Sequence, residues 1–170
     1  MELYLVRHAI AFERDPARWP DDGERPLSPQ GEARFRIAAR GVKRIVPTVD
    51  VLLSSPFARA WRTAELLAEE AGWPPPEPVP ELEADRPVSR ALTALRRYSD
   101  RELVAVVGHE PNLSELAAHL LTTSQDGVAI EVRKGGAVCL GFDGTVRGGS
   151  GWLRWSVSPK ILRALASRPR

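Results

Sequence analysis

Two arginines and two histidines each follow a short apolar run of this sequence. They are Arg7 and His8 after residues 3–6, Arg59 after residues 49–53, and His109 after residues 103–107. A guanidinium offers a fixed fork of donors that matches the oxygens of a phosphate. A neutral imidazole nitrogen is a competent nucleophile that can form a covalent intermediate. Because phosphoryl transfer depends on positioning and on stabilising charge at three oxygens, these residue types favour a phosphoryl-transfer site.

Helical and strand patterns alternate along the chain, and turn residues separate them. Ser28 and Pro29 are typical of the start of a helix, and Gly72 is typical of a helix end. Five prolines between residues 73 and 80 leave room only for a short edge strand near Val79. Strands are predicted over residues 3–6, 49–53 and 103–107, and helices over residues 29–45, 57–71, 89–98 and 111–121, with a last helix from Pro159.

Residues 128–157 alternate in polarity and contain paired glycines, which predicts antiparallel strands around a hairpin. The earlier strands alternate with helices, a pattern that predicts an α/β sandwich with a largely parallel sheet, in a single domain of residues 1–170. Ligands of such sheets bind beyond the carboxyl ends of the strands. We therefore expect the two arginines and two histidines to meet in a strongly cationic pocket that holds few carboxylates.

Four segments resemble the motifs of the histidine phosphatase superfamily, which includes the cofactor-dependent phosphoglycerate mutases. Residues 5–9, LVRHA, resemble its Arg-His-Gly motif, with Ala9 in place of the glycine. Residues 25–31, RPLSPQG, resemble the Arg-Pro-Leu-Thr-x-x-Gly segment of one branch. Residues 54–64, SSPFARAWRTA, resemble the second motif, and residues 107–111, VGHEP, resemble the third. The four occur in the family's order, whereas the last predicted strands carry no motif.

The length of the chain and the short stretch between Arg59 and His109 are most similar to SixA-type phosphohistidine phosphatases, because larger relatives insert a helical cap there. The resemblance implies a phosphoglycerate mutase-like fold, a three-layer α/β/α sandwich without a large cap domain. It implies that His8 is the nucleophile and that Arg7, Arg59 and His109 hold the phosphoryl oxygens. It also implies that Arg25 contacts phosphate or substrate, although an ion pair that anchors the loop is an equal alternative.

The resemblance does not identify the general acid. Relatives often place a carboxyl group after the second motif, and Glu81, Glu83 and Asp85 are the candidates here. Each of them also suits a solvated loop carboxylate. A phosphoramidate P–N bond needs less help than a phosphate ester once its nitrogen is protonated. The sequence therefore predicts a preference for phosphohistidine, or another reactive phosphoryl donor, over unactivated esters.

Composition argues against several other classes of protein. The net charge of +2 is too small to indicate nucleic-acid binding, and the Arg-rich end, with Arg163, Arg168 and Arg170, is interpreted as a solvated helix face and tail. No segment is long and apolar enough to cross a membrane, and no signal peptide is visible, so we expect a cytoplasmic protein. Cys139 is the single cysteine, which excludes an internal disulfide. His119 has no partner at zinc-ligand spacing, so we expect neither metal nor cofactor.

The favoured interpretation is a phosphatase that hydrolyses phosphohistidine in a protein, through a covalent intermediate on His8, and releases inorganic phosphate. One alternative is a small-molecule phosphomonoester phosphatase of the same superfamily. Another is a module that binds phosphate without catalysis, although binding alone does not need a nucleophilic histidine. Trp19, in the loop of residues 9–29, is a further candidate for substrate contact.

Overall fold

A mixed six-stranded sheet lies at the centre of the computed structural model, which describes residues 1–167. The strands are β1 (Glu2–Arg7), β2 (Val51–Ser54), β3 (Glu77–Pro78), β4 (Leu103–Gly108), β5 (Ala137–Gly141) and β6 (Trp152–Val157). The helices are α1 (Pro29–Ile45), α2 (Ala58–Ala71), α3 (Val88–Leu95), α4 (Asn112–Thr122) and α5 (Pro159–Ala166). Single turns of 3-10 helix cover Asp22–Glu24, Pro80–Leu82 and Arg96–Tyr98. Arg168 and Arg170 of the Arg-rich end lie outside the described residues.

The strand order is β3-β2-β4-β1-β5-β6. The four strands from β3 to β1 are parallel, whereas β5 runs antiparallel to β1 and β6 runs antiparallel to β5. Helices α1, α2 and α5 pack on one face, and α3 and α4 pack on the other. Only β3, α3 and two 3-10 turns separate α2 from β4. The predicted three-layer sandwich with a mostly parallel sheet and no large cap is therefore confirmed.

The inner strands are buried on both faces, as strands between two helical layers must be. In β1, Leu3 and Leu5 pack toward α3 and α4, whereas Tyr4 and Val6 pack toward α1 and α2. This two-sided burial explains why the strands appear in the sequence as continuous apolar runs rather than as alternating patterns. Among the described residues, no helix combines the length and the apolar content needed to cross a membrane.

Local capping interactions begin α1 and α5 and end α2 where the sequence predicts. The Ser28 side chain accepts a hydrogen bond from the Gly31 N–H at the start of α1, and Ser158 caps α5 in the same way. Gly72 ends α2 with a φ of 74°, a left-handed conformation that costs glycine no side-chain clash. The helix predicted over residues 89–98 is shorter, because α3 tightens into a 3-10 turn after Leu95.

The predicted strands of residues 128–157 form only in part. Residues 137–141 and 152–157 make the expected antiparallel pair, but residues 128–136 form no strand. This segment instead crosses the carboxyl end of β1, where the Gly136 carbonyl accepts from the Arg7 N–H at 3.1 Å and the Val132 carbonyl accepts from the Arg7 side chain at 3.0 Å. These contacts pair two of its carbonyl groups with Arg7, so the segment is held at the end of the sheet without pairing as a strand.

Main-chain hydrogen bonds continue between the parallel strands beyond their carboxyl ends. The His8 N–H donates to the Gly108 carbonyl at 3.0 Å, and the Ser55 N–H donates to the Val107 carbonyl at 3.0 Å. Because the order β2-β4-β1 makes these three strands neighbours, the residues that follow them are held at one edge of the sheet.

The long loop after His8 is closed at its base. Ala11 and Leu27 form an antiparallel bridge, and the Ser28 N–H donates to the Ile10 carbonyl at 3.0 Å. Gly31, in the first turn of α1, lies directly against this carbonyl, because a Cβ built on Gly31 would be 1.9 Å from the Ile10 oxygen. The absence of a side chain at Gly31 therefore allows the chain that leaves His8 to pack on α1.

We expect Gly31→Ala to lower the free energy of unfolding by about 1–3 kcal/mol, because the new methyl group would displace the main chain at Ile10. Gly144→Ala is the matched control, since a Cβ at Gly144 has no heavy atom within 4 Å, and it should change stability by less than about 0.5 kcal/mol. Urea unfolding of the two variants measures both values. Equal stability of the two variants would contradict the close packing at Gly31.

Candidate active site

An open cavity of about 270 Å³ lies at the carboxyl edge of the parallel strands. The residues that line it come from the ends of β1 and β4, from α2 and from the loops around them. They are Arg7, His8, Phe12, Glu13, Arg14, Arg25, Arg59, Ala84, His109, Glu110 and Lys134. The two histidines and two arginines singled out in the sequence therefore reach the same cavity.

His8 presents a neutral ring with one nitrogen free to react. Its Nδ1 lies 2.7 Å from the Ala9 carbonyl, which can only accept, so Nδ1 carries the proton and Nε2 keeps its lone pair. This tautomer is assigned from the hydrogen bond. Burial, with smaller contributions from Arg59, Arg7 and Lys134, lowers the pKa of His8 to about 3. The ring is therefore an unprotonated nucleophile across the ordinary pH range.

His109 lies beside His8, with 5.2 Å between the ring centres. Its Nε2 is 2.9 Å from the hydroxyl of Ser55, which accepts from the Phe57 N–H at 3.3 Å. We assign the Ser55 hydroxyl as the donor to Nε2, which places the proton of a neutral His109 on Nδ1. Burial is the largest cause that holds the pKa of His109 far below its usual value, followed by the nearby His8 and Arg59. His109 is thus a neutral donor whose Nδ1 is buried without a partner.

Each of the two arginines uses part of its guanidinium to bind a main-chain carbonyl of the protein. Arg7 donates from Nη1 to the Val132 carbonyl at 3.0 Å, and Arg59 donates from Nη1 to the Asp22 carbonyl at 2.7 Å. The Arg59 side chain is 4% exposed, and its Nη2 lies 3.0 Å from the Asp22 carboxylate. Within residues 1–167, the Nε atoms of both arginines are buried and have no hydrogen-bond partner.

Three buried donors therefore remain unpaired beside the nucleophile: Arg7 Nε, Arg59 Nε and His109 Nδ1. Leaving such donors without an acceptor costs about 1–3 kcal/mol each, and more for a charged group. A tetrahedral oxyanion supplies several acceptor oxygens at once and a charge opposite to that of the arginines. The arrangement can thus bind a phosphoryl group and hold it against His8.

Carboxylates accompany the basic side chains in and beside the cavity. Asp22 places its carboxylate against Arg59 and Arg25, and Glu13 and Glu110 line the cavity directly. The hydrogen bond from Arg25 holds the pKa of the Asp22 carboxyl group below its usual value. The positive charge of Arg59 lowers this pKa further. The lining holds the carboxylates of Glu13 and Glu110 against five basic side chains, those of Arg7, Arg14, Arg25, Arg59 and Lys134, so the cavity is predominantly cationic. Asp22 lies beside the lining, where a guanidinium as buried as that of Arg59 requires a countercharge.

Arg25 anchors the loop and also reaches the cavity. Its Nε lies 2.8 Å from the Asp22 carboxylate and its Nη1 donates to the Phe12 carbonyl at 2.7 Å, so it ties the loop together. It also lines the cavity. Trp19 does not line the cavity, since its ring packs on Phe12 at 5.3 Å and Arg18 lies over both rings. Phe12 is the aromatic residue of the loop that faces the cavity.

The carboxyl groups proposed as general acids do not reach the cavity. Glu81 pairs with Arg97 at 2.9 Å, and Glu83 and Asp85 lie 3.0 and 3.9 Å from Arg86. None of the three lines the cavity of the proposed nucleophile. Their contacts are those of ion pairs on the protein surface.

Several residues around the site were not singled out from the sequence, among them Asp22, Ser55, Glu110 and Lys134. Ser55 and Glu110 lie inside the second and third motifs, so their position beside the site could have been noticed. Asp22 lies three residues before Arg25, a spacing that suits an ion pair across one turn. Lys134 belongs to the segment that crosses β1, and no local pattern of the sequence indicates that path.

Comparisons with known proteins agree with this arrangement. The family model described as the histidine phosphatase superfamily (branch 1) matches residues 3–84, which include the first two motifs. An uncharacterised protein of Picosynechococcus sp. (strain ATCC 27264 / PCC 7002 / PR-6) is 35% identical over 143 residues, which cover 82% of this chain and 84% of that protein.

Solved structures of phosphatases have the same fold. A structure of the protein histidine phosphatase SixA complexed with tungstate has a TM-score of 0.81 at 25% identity and covers 95% of this chain and 99% of its own. The alpha-ribazole phosphatase from Shigella flexneri has a TM-score of 0.68 at 18% identity and covers 94% of this chain and 97% of its own. The second likeness is one of fold alone.

We expect His8→Asn to make the protein less sensitive to acid. The folded protein holds the pKa of His8 at about 3, whereas histidine in an unfolded chain titrates near ~6.5. Between these values the unfolded chain binds more protons, so the wild type loses stability as the pH falls, by up to about 5 kcal/mol over the full window. An asparagine side chain takes up no proton, so the variant escapes this part of the loss.

Urea unfolding at about pH 7 and about pH 4, which together span most of the range between the two pKa values, measures the loss of stability in each protein. The expected result is a smaller drop in the free energy of unfolding for His8→Asn than for the wild type. An equal drop in both proteins would show that His8 is not held neutral by the fold.

Proposed function

This chain belongs to the histidine phosphatase superfamily and is a phosphatase, and we propose that it hydrolyses its substrate through a covalent phosphohistidine intermediate on His8. The proposal rests on one observation above the others. A neutral histidine with a free Nε2 lies in the same cavity as three buried donors that lack acceptors: Arg7 Nε, Arg59 Nε and His109 Nδ1. A site with this combination supplies both the nucleophile and the charge stabilisation of phosphoryl transfer.

In the first step, His8 Nε2 attacks phosphorus and the bond from phosphorus to the leaving atom breaks. The transferring group passes through a loose transition state with its charge spread over three oxygens. Arg7 and Arg59 contribute two positive charges and His109 contributes a neutral N–H at this point. Because the donors are fixed by their other contacts, they need little reorganisation as the charge develops.

In the second step, water attacks the phosphoryl group on His8 and the P–N bond to the ring breaks. Inorganic phosphate leaves, and Nε2 regains its lone pair. The low pKa of His8 suits this step, since a nitrogen that disfavours positive charge is a good leaving group. The Nδ1 contact to the Ala9 carbonyl keeps the ring orientation unchanged through the cycle.

We favour phosphohistidine of a protein as the substrate over a small phosphomonoester. The stretch between α2 and β4 carries no cap-sized insertion, so the cavity opens to the surface and has room for a phosphorylated side chain of another protein. The likeness to the protein histidine phosphatase SixA over nearly the whole of both chains supports the same choice. The shared fold of the alpha-ribazole phosphatase makes a small phosphate ester the alternative.

Trapping of the intermediate tests the role of His8. Incubation with a ³²P-labelled phosphoryl donor and rapid acid-free quenching should give a wild-type protein whose label is stable to base and labile to acid. His8→Ala should carry no label and lose at least about 10³-fold in rate. His119→Ala, which removes a histidine of α4 that does not line the cavity, is the matched control and should be labelled like the wild type. A module that binds phosphate without catalysis would take no label and release no inorganic phosphate.

Rates on two substrates test the substrate class. We expect kcat/KM for a peptide that carries phosphohistidine to exceed that for an alkyl phosphate by at least about 10²-fold, because a ring nitrogen leaves more readily than an alkoxide. Release of inorganic phosphate at several substrate concentrations measures both constants. Comparable values, or a higher value for a nucleoside phosphate, would favour the small-molecule alternative.

A further inference from the structure

Glu110 occupies a position in the cavity that the proposed mechanism leaves without a role. It directly follows His109 beyond the end of β4, and its side chain lines the same cavity as His8 and Arg7. Its Oε1 is buried and has no hydrogen-bond partner among the described residues. A buried carboxyl oxygen without a donor is costly unless it takes part in an interaction that forms later or carries a proton itself.

The other oxygen of Glu110 is held in a way that suits both protonation states. Oε2 contacts the hydroxyl of Ser114, and this hydroxyl lies 2.8 Å from the Pro111 carbonyl. When the carboxylate is ionised, the single proton of Ser114 can be donated to Oε2. When the carboxyl group is protonated at Oε2, it can donate to Ser114, which then donates to Pro111. One hydroxyl thus pairs with Glu110 before and after a proton transfer.

The surroundings of Glu110 favour its protonated form more than the surroundings of an exposed carboxyl group do. Burial is the largest cause that raises the pKa of Glu110, and the charge of Glu115 acts in the same direction. The Ser114 hydrogen bond and the positive charge of Arg7 act against it. A carboxyl group used for proton transfer near neutral pH needs a pKa moved toward that range.

The other carboxyl groups near the site are less suited to carry a proton. Asp22 is tied to Arg25 and Arg59, which hold it ionised as an acceptor. Glu13 lines the cavity but is exposed on the long loop. Glu81, one of the carboxyl groups that follow the second motif, pairs with Arg97 outside the cavity. Within residues 1–167, Glu110 is therefore the carboxyl group of the cavity that is half-buried and makes no ion pair.

We infer that Glu110 is the proton carrier of the reaction, an inference that rests on the proposed role of His8. As the bond between phosphorus and the leaving atom breaks, Glu110 gives its proton to that atom and becomes a carboxylate. As water attacks the phosphoryl group on His8, Glu110 takes one proton from this water, and inorganic phosphate leaves. The two steps return Glu110 to its starting form, and the net reaction consumes one water.

The dependence of Glu110→Gln on the leaving group tests this inference. Phenyl phosphate has a leaving group that benefits from a proton, whereas p-nitrophenyl phosphate has one that departs without it. We expect kcat/KM of Glu110→Gln to fall by about 10²–10⁴-fold on phenyl phosphate and to change little on p-nitrophenyl phosphate. The constant kcat/KM is the right measure because it reports the first step alone when transfer to His8 is irreversible.

Two matched controls belong to the same experiment. Glu81→Gln removes a carboxylate that pairs with Arg97 outside the cavity, and it should behave like the wild type on both substrates. Glu13→Gln removes the exposed carboxylate that lines the cavity, and any loss it causes should be equal on the two substrates. Ser114→Ala keeps the carboxyl group but removes its partner, so it should show a smaller loss in the same substrate-dependent direction. Ser114→Ala keeps the test decisive if Glu110→Gln folds poorly.

The labelling of His8 separates a failure of this inference from a failure of the proposed function. If Glu110 also accepts the proton of water, the phosphorylated form of Glu110→Gln should accumulate to a higher steady-state fraction than in the wild type. If His8 is labelled normally but Glu110→Gln loses equal activity on the two substrates, the role of Glu110 alone is overturned. The same conclusion follows if the leaving-group dependence appears in Glu13→Gln instead. A wild type that takes no label on His8 would overturn both.

Discussion

Two main-chain hydrogen bonds beyond the ends of the strands hold the site together. They join His8 to Gly108 and Ser55 to Val107, and each continues the parallel ladder by one residue. The first bond places Gly108, the residue before His109, beside His8. The second bond places the same strand beside Ser55, whose hydroxyl contacts His109. The relative positions of His8 and His109 therefore depend on the register of β2, β4 and β1.

Charge is balanced in this site by keeping the histidines neutral and the arginines partly paired. Burial is the largest cause of the low pKa of His8, and repulsion from Arg59 and Arg7 lowers it further. Asp22 offsets part of the positive charge from outside the cavity, while the arginine Nε atoms remain available on the inside. The same burial that weakens His8 as a base keeps it available as a nucleophile.

The parts of the fold that follow from local chemistry were predictable from the sequence. Buried strands appear as apolar runs, and Ser28 and Gly72 mark helix ends because each makes its capping contact within a few residues. Contacts between distant segments were not predictable in this way. The pairing of Asp22 with Arg59 depends on the path of a long loop, and the environment of Glu110 depends on burial by α4, neither of which leaves a periodic pattern.

The contact between Arg7 and the Val132 carbonyl joins the first strand to a segment that is 125 residues further along the chain. A ribosome delivers the chain from its amino terminus, so Arg7 and His8 are made long before the segment that holds Arg7 in place. Until residues 128–141 have left the ribosome tunnel, the guanidinium lacks this support and β1 lacks its antiparallel neighbour β5. The cavity is thus completed only after this later segment has emerged, and a nascent chain that already contains every motif still has an unfinished site.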